Sequence, residues 1–290
     1  MRLAKLTIAS LVFIFLVLTF GTGATPEENR WRQDLIFSYS LDSSRLTLHE
    51  PVLLTFTLKN DSRTEVRLNL GSNDVQNFQI TIVPPQGGPV RYLRLSPEGL
   101  ATVGLHRVPP GQEYRRRLIL NQWFSFDRIG MYGVEIQLLH PIEMTDGTPV
   151  LEPPAFRTHV EILPRDIARL DQVCGTLARQ VEDATSYGAA LEAALPLGYV
   201  EDPAAIPYLQ RTLNAGRLVE APAIDALRRI GSPEAVHVLI SALNERQEPN
   251  SNTPEMIKAA LEIIAHETHD SALRAHIRLA LQRANREDTP

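Results

Sequence analysis

The sequence predicts a multidomain protein in which an all-β domain precedes an all-α domain. Apolar and polar residues alternate between residues 35 and 163, which is the period of a β-strand with one buried face. Beyond residue 165 the apolar residues recur every three or four positions, which is the period of an amphipathic helix. The segment at residues 196–213 also returns without a gap at residues 226–243, as stacked helical hairpins do. We therefore expect a β-sandwich followed by an α-solenoid.

Length and charge limit the class of protein. The chain has 290 residues, of which 43% are hydrophobic, so two domains can each bury a core. Its 34 acidic and 29 basic residues give a net charge of −5, which does not supply the basic surface that nucleic-acid binding needs. We expect a folded protein with no nucleic-acid partner.

The first 24 residues predict a signal peptide. Arg2 and Lys5 precede an apolar run at residues 6–20, which is too short for a typical membrane span. Small residues follow at 21–24, so a signal peptidase can cut after Ala24. We expect the mature protein to be exported, either periplasmic or secreted. The alternative is an uncleaved N-terminal anchor, which would be the chain's one attachment to a membrane.

Two domains are expected, at residues 25–164 and 165–290. Cys174 is the only cysteine in the chain, so no internal disulfide can form and both domains must be held together by packing. It falls on the apolar stripe of a predicted helix, which favours a buried, inert thiol. A catalytic or dimer-forming thiol is the alternative.

The β domain is predicted from short apolar–polar alternations that are separated by turn residues. In the clearest of them Val52, Leu54, Phe56 and Leu58 face one side. Gly, Pro, Asn and Asp separate the segments, which is typical of a sandwich. The expected strands are residues 35–39, 52–58, 66–70, 78–82, 90–95, 114–120, 132–138 and 156–162, with a Pro-rich loop at 149–154 before the last one.

One motif in this domain has a known architectural counterpart. Residues 127–134 read DRIGMYGV and resemble the tyrosine corner of immunoglobulin-like domains, although Val134 stands where antibody domains carry cysteine. The resemblance implies an immunoglobulin-like sandwich in which Tyr132 is structural and its hydroxyl bonds back to the backbone. It implies no activity, because this architecture carries many unrelated functions.

Seven helices are predicted in the second domain. The first has apolar residues at steps of three and four from Ile167 to Val181. The others are expected at residues 187–195, 203–213, 221–230, 233–243, 254–264 and 271–283. Residues 260–281 form a third, degenerate copy of the repeat once a longer polar loop at 246–253 is allowed.

The repeated segments share a motif with a known family. Residues 197–209 read LGYVEDPAAIPYL and residues 226–243 read ALRRIGSPEAVHVLISAL. The Asp-Pro or Ser-Pro step and the leucine ladder resemble HEAT-like repeats of the phycobilisome-lyase type. The chain departs from the family at Val219-Glu220, where the family usually has Val-Arg. The resemblance implies a helical binding scaffold and no chromophore chemistry.

No pattern in the sequence indicates catalysis, so we expect a non-enzymatic protein with no catalytic residue, no cofactor and no metal. Residues 266–270 read HETHD, but the two histidines are three apart, whereas a zincin helix needs a spacing of four. The arginines at 115–117 are interpreted as a solvated strand face, with an anion-binding patch as the alternative. Trp123 and Phe124 are interpreted as core residues.

These features favour an exported protein-binding or scaffold protein. In a HEAT-like stack the second helix of each hairpin lines the concave side, so the partner is expected on the second, fourth and sixth helices. Because their charges are mixed, the surface suits an extended protein or peptide segment and suits DNA badly. The binding residues expected there are Glu192, Asp225, Arg229, Lys258 and Glu262.

A second function remains open from the sequence alone. The protein would regulate or inhibit an exported enzyme by inserting a sandwich loop into its cleft. The candidate loops are residues 86–89 and 149–154.

Overall fold

A β-rich region precedes a helical region in the computed structural model of the protein. The described residues are 34–71, 74–90, 104–140, 142–145, 149–151, 155–215, 219–245 and 252–287. The expected signal peptide and most of the expected strand at 90–95 lie outside these residues. None of the helices in the described ranges is long and apolar enough to cross a membrane.

Eleven strands lie in the described part of the β-rich region. Numbered β1 to β11 in chain order, they are Leu35–Leu41, Arg45–Thr47, Leu53–Asn60, Val66–Asn69, Phe78–Val83, Leu105–Val108, Glu113–Ile119, Gly130–Leu138, Ile142–Met144, Pro149–Leu151 and Phe156–Leu163. They form three sheets, with the orders β1-β3-β7, β10-β9-β4-β6 and β2-β11-β8-β5. Paired strands run antiparallel except β2 and β11, which are parallel.

The core of this region follows from the alternation in the strands. In β3 the side chains of Leu54, Phe56 and Leu58 are fully buried, whereas Thr55 and Thr57 are only partly buried. The Phe56 ring packs edge-on against Phe78, with ring centroids 5.6 Å apart. Such aromatic contacts add to the free energy gained by removing the rings from water.

The structure corrects the sequence prediction at four short strands. We did not predict β2, β6, β9 and β10, which have three or four residues each. A segment of that length cannot show a reliable period, and its pairing with a neighbouring strand decides its conformation. In particular, the first three residues of the loop expected at 149–154 form β10, which pairs with β9.

Tyr132 makes the backbone contact that its motif predicts. Its hydroxyl accepts a hydrogen bond from the Arg128 amide at 3.1 Å and donates one to the Arg128 carbonyl at 3.0 Å. The ring is fully buried beside Phe124 and Phe126. Gly130 starts the strand with a φ of 134°, and a Cβ there would lie 2.8 Å from Pro85, so only glycine fits.

Seven helices form the described part of the helical region. Numbered α1 to α7, they are Ile167–Asp183, Tyr187–Gly198, Ile206–Asn214, Glu220–Ile230, Pro233–Glu245, Thr253–Glu267 and Ser271–Glu287, and a 3-10 turn at Pro203–Ala205 leads into α3. Helix α2 continues through Pro196 to Gly198, beyond the end we predicted. Gly231 ends α4 in the left-handed conformation, with φ 59°.

The helices lie in two rows. Helices α1, α3, α5 and α7 contact one another in series, and α2, α4 and α6 do the same. The residues that repeat in the sequence are buried in equivalent places: Leu197 and Leu227, Ala205 and Ala235, Leu209 and Leu239, and Leu213 and Leu243 all belong to one core. Each repeat therefore contributes its apolar residues to a core shared with its neighbours.

Equivalent polar residues begin the helices of the first row. The Asp202 side chain accepts a hydrogen bond from the Ala204 amide, and Ser232 accepts one from Ala235. Asp270 accepts bonds from the first turn of α7, at 2.8 and 3.1 Å. Side-chain capping of this kind satisfies amides that have no partner within the helix. It also supports the alignment of the degenerate third copy with the first two.

The β-rich region is joined to α1 by several polar contacts. The Thr47 hydroxyl donates to the Pro164 carbonyl at 2.8 Å and accepts from the Asp166 amide at 2.7 Å. The buried Glu50 carboxylate pairs with Arg169 of α1 at 2.6 Å. These bonds fix the direction in which the chain leaves β11 and enters the helices.

Candidate partner-binding surface

The surface of α2, α4 and α6 carries all five residues predicted to bind a partner. Glu192 lies on α2, Asp225 and Arg229 on α4, and Lys258 and Glu262 on α6. Because the three helices contact one another in series, their outward side chains belong to one continuous face. Asp225 and Arg229 also form a direct ion pair within α4.

Arg229 is bound by its own chain. Its guanidinium pairs with Asp225 one turn earlier and with Glu201 at 3.2 Å, and it donates to the Gly198 carbonyl. It also stacks over the Tyr199 ring, with 5.1 Å between the guanidinium carbon and the ring centroid. Only 15% of the Arg229 side chain is exposed.

These contacts give Arg229 a structural role in addition to the predicted one. It ties α4 to the turn that ends α2, so it couples one repeat to the preceding one. The sequence pattern predicts no contact for Glu201 or Tyr199, although both lie in the repeated segment at residues 197–209. The signal that could have found them is the position of Tyr-Val-Glu immediately before the Asp-Pro step.

Lys258 is also largely covered, since 13% of its side chain is exposed. It pairs with Glu255 of the preceding turn at 3.1 Å, and the Glu255 side chain is 75% exposed. Glu192 and Glu262 are exposed. The outermost charges on this face are therefore mainly carboxylates, while the basic groups lie deeper and are paired.

Glu192 stands beside the β-rich region. It lines an open cleft of about 480 Å³ together with Arg117 of β7 and Gln180 of α1. A second cleft of about 490 Å³, which shares Arg117 and Gln180, runs between α1 and the residues around β2. The N-terminal end of the face is thus bordered by the β-rich region.

The Asp-Pro step of the first repeat forms an ion pair with the segment between the two regions. Asp202, of which 2% is exposed, accepts two hydrogen bonds from Arg165, at 2.6 and 2.8 Å. The bonds from Arg165 hold the pKa of the Asp202 carboxyl below its usual value, against the opposing effect of burial. The carboxylate therefore contributes to stability in its ionised form.

The arginines at 115–117 each have an acidic partner. Arg115 pairs with Glu113 at 2.7 Å, Arg116 with Asp74 at 2.9 Å, and Arg117 with Asp42. Burial raises the pKa of the Asp74 carboxyl, and the neighbouring Arg116 partly reverses that shift. This run does not offer three unpaired guanidinium groups to an anion.

Other candidate groups have structural surroundings. Cys174 is buried as predicted, and burial raises the pKa of its thiol to about 12, so the reactive thiolate is suppressed. Trp123 is 2% exposed and belongs to the core of the β-rich region. The HETHD segment spans the end of α6, and no group of three metal-ligating side chains occurs among the described residues.

Comparison with known proteins finds a family repeat that includes the middle helix of this surface. Residues 223–245, which cover most of α4 and all of α5, match the PBS lyase HEAT-like repeat. The match is confined to one repeat of the chain. No curated protein matches the sequence.

Solved structures show only distant likeness. A Northeast Structural Genomics Consortium target is 10% identical, with 44% of this chain and 87% of that chain covered and a TM-score of 0.30. A β-glucosidase from Listeria innocua is 16% identical, covering 44% of this chain and 16% of its own, at a TM-score of 0.24. The sporulation control protein Spo0M from Bacillus subtilis is 11% identical, with 51% and 54% covered and a TM-score of 0.25.

Proposed function

We propose that this is an exported, non-enzymatic scaffold protein that binds a protein or peptide on the face of α2, α4 and α6. In this proposal the helical region is a HEAT-like solenoid and the β-rich region is an immunoglobulin-like sandwich at its N-terminal end. The protein acts by presenting a preformed surface, and it needs no cofactor. It has no nucleic-acid partner.

The serial contact of α2, α4 and α6 is the observation that carries the proposal. Repeat proteins whose helices stack in this way use the continuous side of one row to bind extended partners. The HEAT-like repeat at residues 223–245 includes α4, the middle helix of this row, and supports the same function. The tyrosine contact at Arg128 and the shared apolar core of the strands support the sandwich.

The charges of the face define the partner more closely. Glu192, Glu255 and Glu262 lie outermost, whereas Arg229 and Lys258 are recessed against their own acidic neighbours. An extended segment that carries lysine or arginine next to apolar residues would complement this surface. A phosphate backbone would meet the carboxylates first and would be repelled.

Site-specific photo-crosslinking tests this function. A crosslinking amino acid at Glu192 or Ala221, both exposed, should capture a partner from exported fractions, whereas one at Arg179 on α1 should not. With the crosslinker at Ala221, replacing both Glu192 and Glu262 by lysine should reduce the captured partner about tenfold, since exposed charges change association more than stability. Capture that is equal at all positions and insensitive to the double substitution would contradict the proposal.

An exposed loop supports the alternative function. Residues 86–89 are all exposed, as the residues of a loop that enters an enzyme cleft must be. They follow β5 and come before Val90, which pairs back with Ile82 of that strand. The protein would then regulate or inhibit an exported enzyme. A crosslinker at Gln86 distinguishes the two functions: capture there, with none at Ala221, transfers binding to the β-rich region.

Export has its own test. N-terminal sequencing of the protein recovered outside the cytoplasm should begin near Thr25, because the small residues at 21–24 favour cleavage after Ala24. Recovery of the protein with Met1 intact in the membrane fraction would show that the N-terminal segment is an uncleaved anchor and is not a signal peptide.

A further inference from the structure

Helices α6 and α7 each leave apolar side chains exposed. On α6 these are Met256, which is 36% exposed, Ile263, which is 40% exposed, and the exposed Ala259 between them. On α7 they are Leu279, which is 47% exposed, together with the exposed Ala272 and Ala275. Both helices also have a separate buried face, so these residues are not needed for the contact between α6 and α7.

The two sets have the same spacing. Met256, Ala259 and Ile263 stand at positions i, i+3 and i+7, which places them on one side of the helix. Ala272, Ala275 and Leu279 repeat that spacing on α7. Each stripe spans eight residues, so its two ends are seven steps of 1.5 Å, or about 10 Å, apart. The large residues of one stripe can therefore lie against the alanines of the other with the helices close together.

The charges beside the two stripes are opposite. Helix α6 contains three glutamates and one lysine, and its exposed Glu262 and Glu267 lie on the two sides of the stripe. Helix α7 contains four arginines and one glutamate, and its exposed Arg278 and Arg283 lie on the two sides of its stripe. An acidic rim around one stripe thus matches a basic rim around the other.

We propose that the α6 stripe of one copy of this chain packs on the α7 stripe of a second copy, and reciprocally, in a twofold-symmetric dimer. The stripes cannot meet within one chain, because α6 and α7 already contact each other through Leu261, Ile264 and Ile277. A twofold axis between the two hairpins uses both complementary contacts at once and closes the assembly. The dimer does not depend on the proposed function: it leaves the outer surface of α2 and α4 to a partner and places Glu262 of α6 beside the second copy.

Sedimentation equilibrium of the full chain tests the dimer. The expected mass at micromolar concentration is twice 32.4 kDa, and the dimer should weaken as salt is added, because the rims carry exposed charge. Replacing Met256 and Ile263 by serine should raise the dissociation constant by about tenfold or more, since two exposed apolar side chains leave the interface. Ala221→Ser on α4, which is exposed away from the stripes, serves as the matched control.

Charge reversal gives a sharper test. A variant with Glu262→Arg and Glu267→Arg should be monomeric, and so should one with Arg278→Glu and Arg283→Glu, because like charges then face each other at both contacts. An equimolar mixture of the two variants should form a heterodimer, since every rim again meets its opposite. Circular dichroism of each variant confirms that it is folded.

Three results would overturn the proposal. One is a wild-type chain that stays monomeric at micromolar concentration. Another is a dimer that both pairs of reversals leave intact, as association through the apolar run at residues 6–20 would do, because every variant retains that run. A mixture that fails to restore the heterodimer, with both variants folded, would equally reject the pairing of α6 with α7 and leave these stripes to a different partner.

Discussion

In the β-rich region β3 lies between β1 and β7, so Leu54 pairs with Leu41 on one side and with Leu118 on the other. In the helical region each helix instead contacts helices one or two places away in the chain. The first arrangement joins Leu54 to a residue 64 positions further along the chain, and the second joins neighbouring elements. A core substitution should therefore destabilise the whole β-rich region, whereas a substitution in the helices should destabilise mainly its own repeat.

The two cores also differ in their side chains. The β-rich core contains fully buried aromatic residues, among them Phe56, Phe78 and Tyr132. The helical core is made mainly of alanine, leucine, valine and isoleucine. Small side chains let adjacent helices approach closely, as at Gly198, where a Cβ would lie 3.0 Å from the Pro222 carbonyl oxygen. Burial of a large ring contributes more to the free energy of folding per residue, whereas small side chains allow the same helix spacing in each repeat.

The largest effect is expected from Phe56→Ala. The ring is fully buried between Tyr39 and Phe78, so its loss should cost about 3–5 kcal/mol of unfolding free energy. Urea unfolding followed by the fluorescence of the buried Trp123 measures this loss. Thr57→Ala, one residue further on the half-buried side, is the control and should change stability by less than about 1 kcal/mol. Equal effects of the two would contradict a cooperative β-rich core.

Arg229→Ala should have a smaller and more local effect. Its guanidinium is mostly buried and joins α4 to Glu201 and the Gly198 carbonyl, so its removal should cost about 2 kcal/mol. Hydrogen exchange should accelerate in the turn after α2 and in α4 while the strands keep their protection. Arg228→Ala, which loses a more exposed pair with Asp225, should cost about 0.5 kcal/mol. Faster exchange throughout the strands would show that damage is not confined to the repeat.

Acid should weaken the first repeat through Asp202. Because Arg165 lowers the pKa of Asp202 in the folded protein, the pair stabilises the fold above the unfolded pKa of about 3.9. That stabilisation is lost as the pH falls through the folded-state pKa. Asp202→Asn should be less stable at neutral pH and should lose less stability on acidification, as measured by urea midpoints across the pH range. Parallel pH curves for the two proteins would exclude this role of the ion pair.

The smallest effect is expected from Tyr132→Phe. The substitution keeps the buried ring and removes the two hydrogen bonds to Arg128, which should cost about 1 kcal/mol. Tyr187→Phe is the control, because Tyr187 is 57% exposed at the start of α2. Thermal melting compares the two variants, and no difference between them would show that the Tyr132 hydroxyl adds nothing to the packing of its ring.

The helices could be predicted from the sequence better than the strands, for a physical reason. The period of a helix is visible over ten or more residues, and the gapless repeat is enough to place Leu209 and Leu239 in equivalent positions. The strands β2, β6, β9 and β10 are too short for that, and their pairing with other strands forms them. The parallel pairing of β2 with β11, which lies more than a hundred residues further along the chain, produces no recognisable pattern in the sequence around β2.

The candidate surface was predicted as a set of charges, and the structure orders those charges by depth. Sequence spacing placed Arg229 and Glu262 on comparable faces of their helices, but it could not show that Arg229 reaches back to Glu201 while Glu262 points outward. Side-chain burial depends on the neighbouring repeat, which a single helix does not encode. The acidic character of the outermost layer therefore emerged only from three-dimensional contacts.

The position of β11 determines how the molecule responds to mechanical load. This strand pairs with β8 over seven residues and with β2 over three, and it continues through Pro164 directly into α1. A pull along the strand axis is perpendicular to the hydrogen bonds with the antiparallel β8 and oblique to those with the parallel β2. The hydrogen bonds of β11 with β8 and with β2 are then loaded at the same time, instead of breaking one after another from one end. We therefore expect a force on the helical region to extend the helices before it separates the strands.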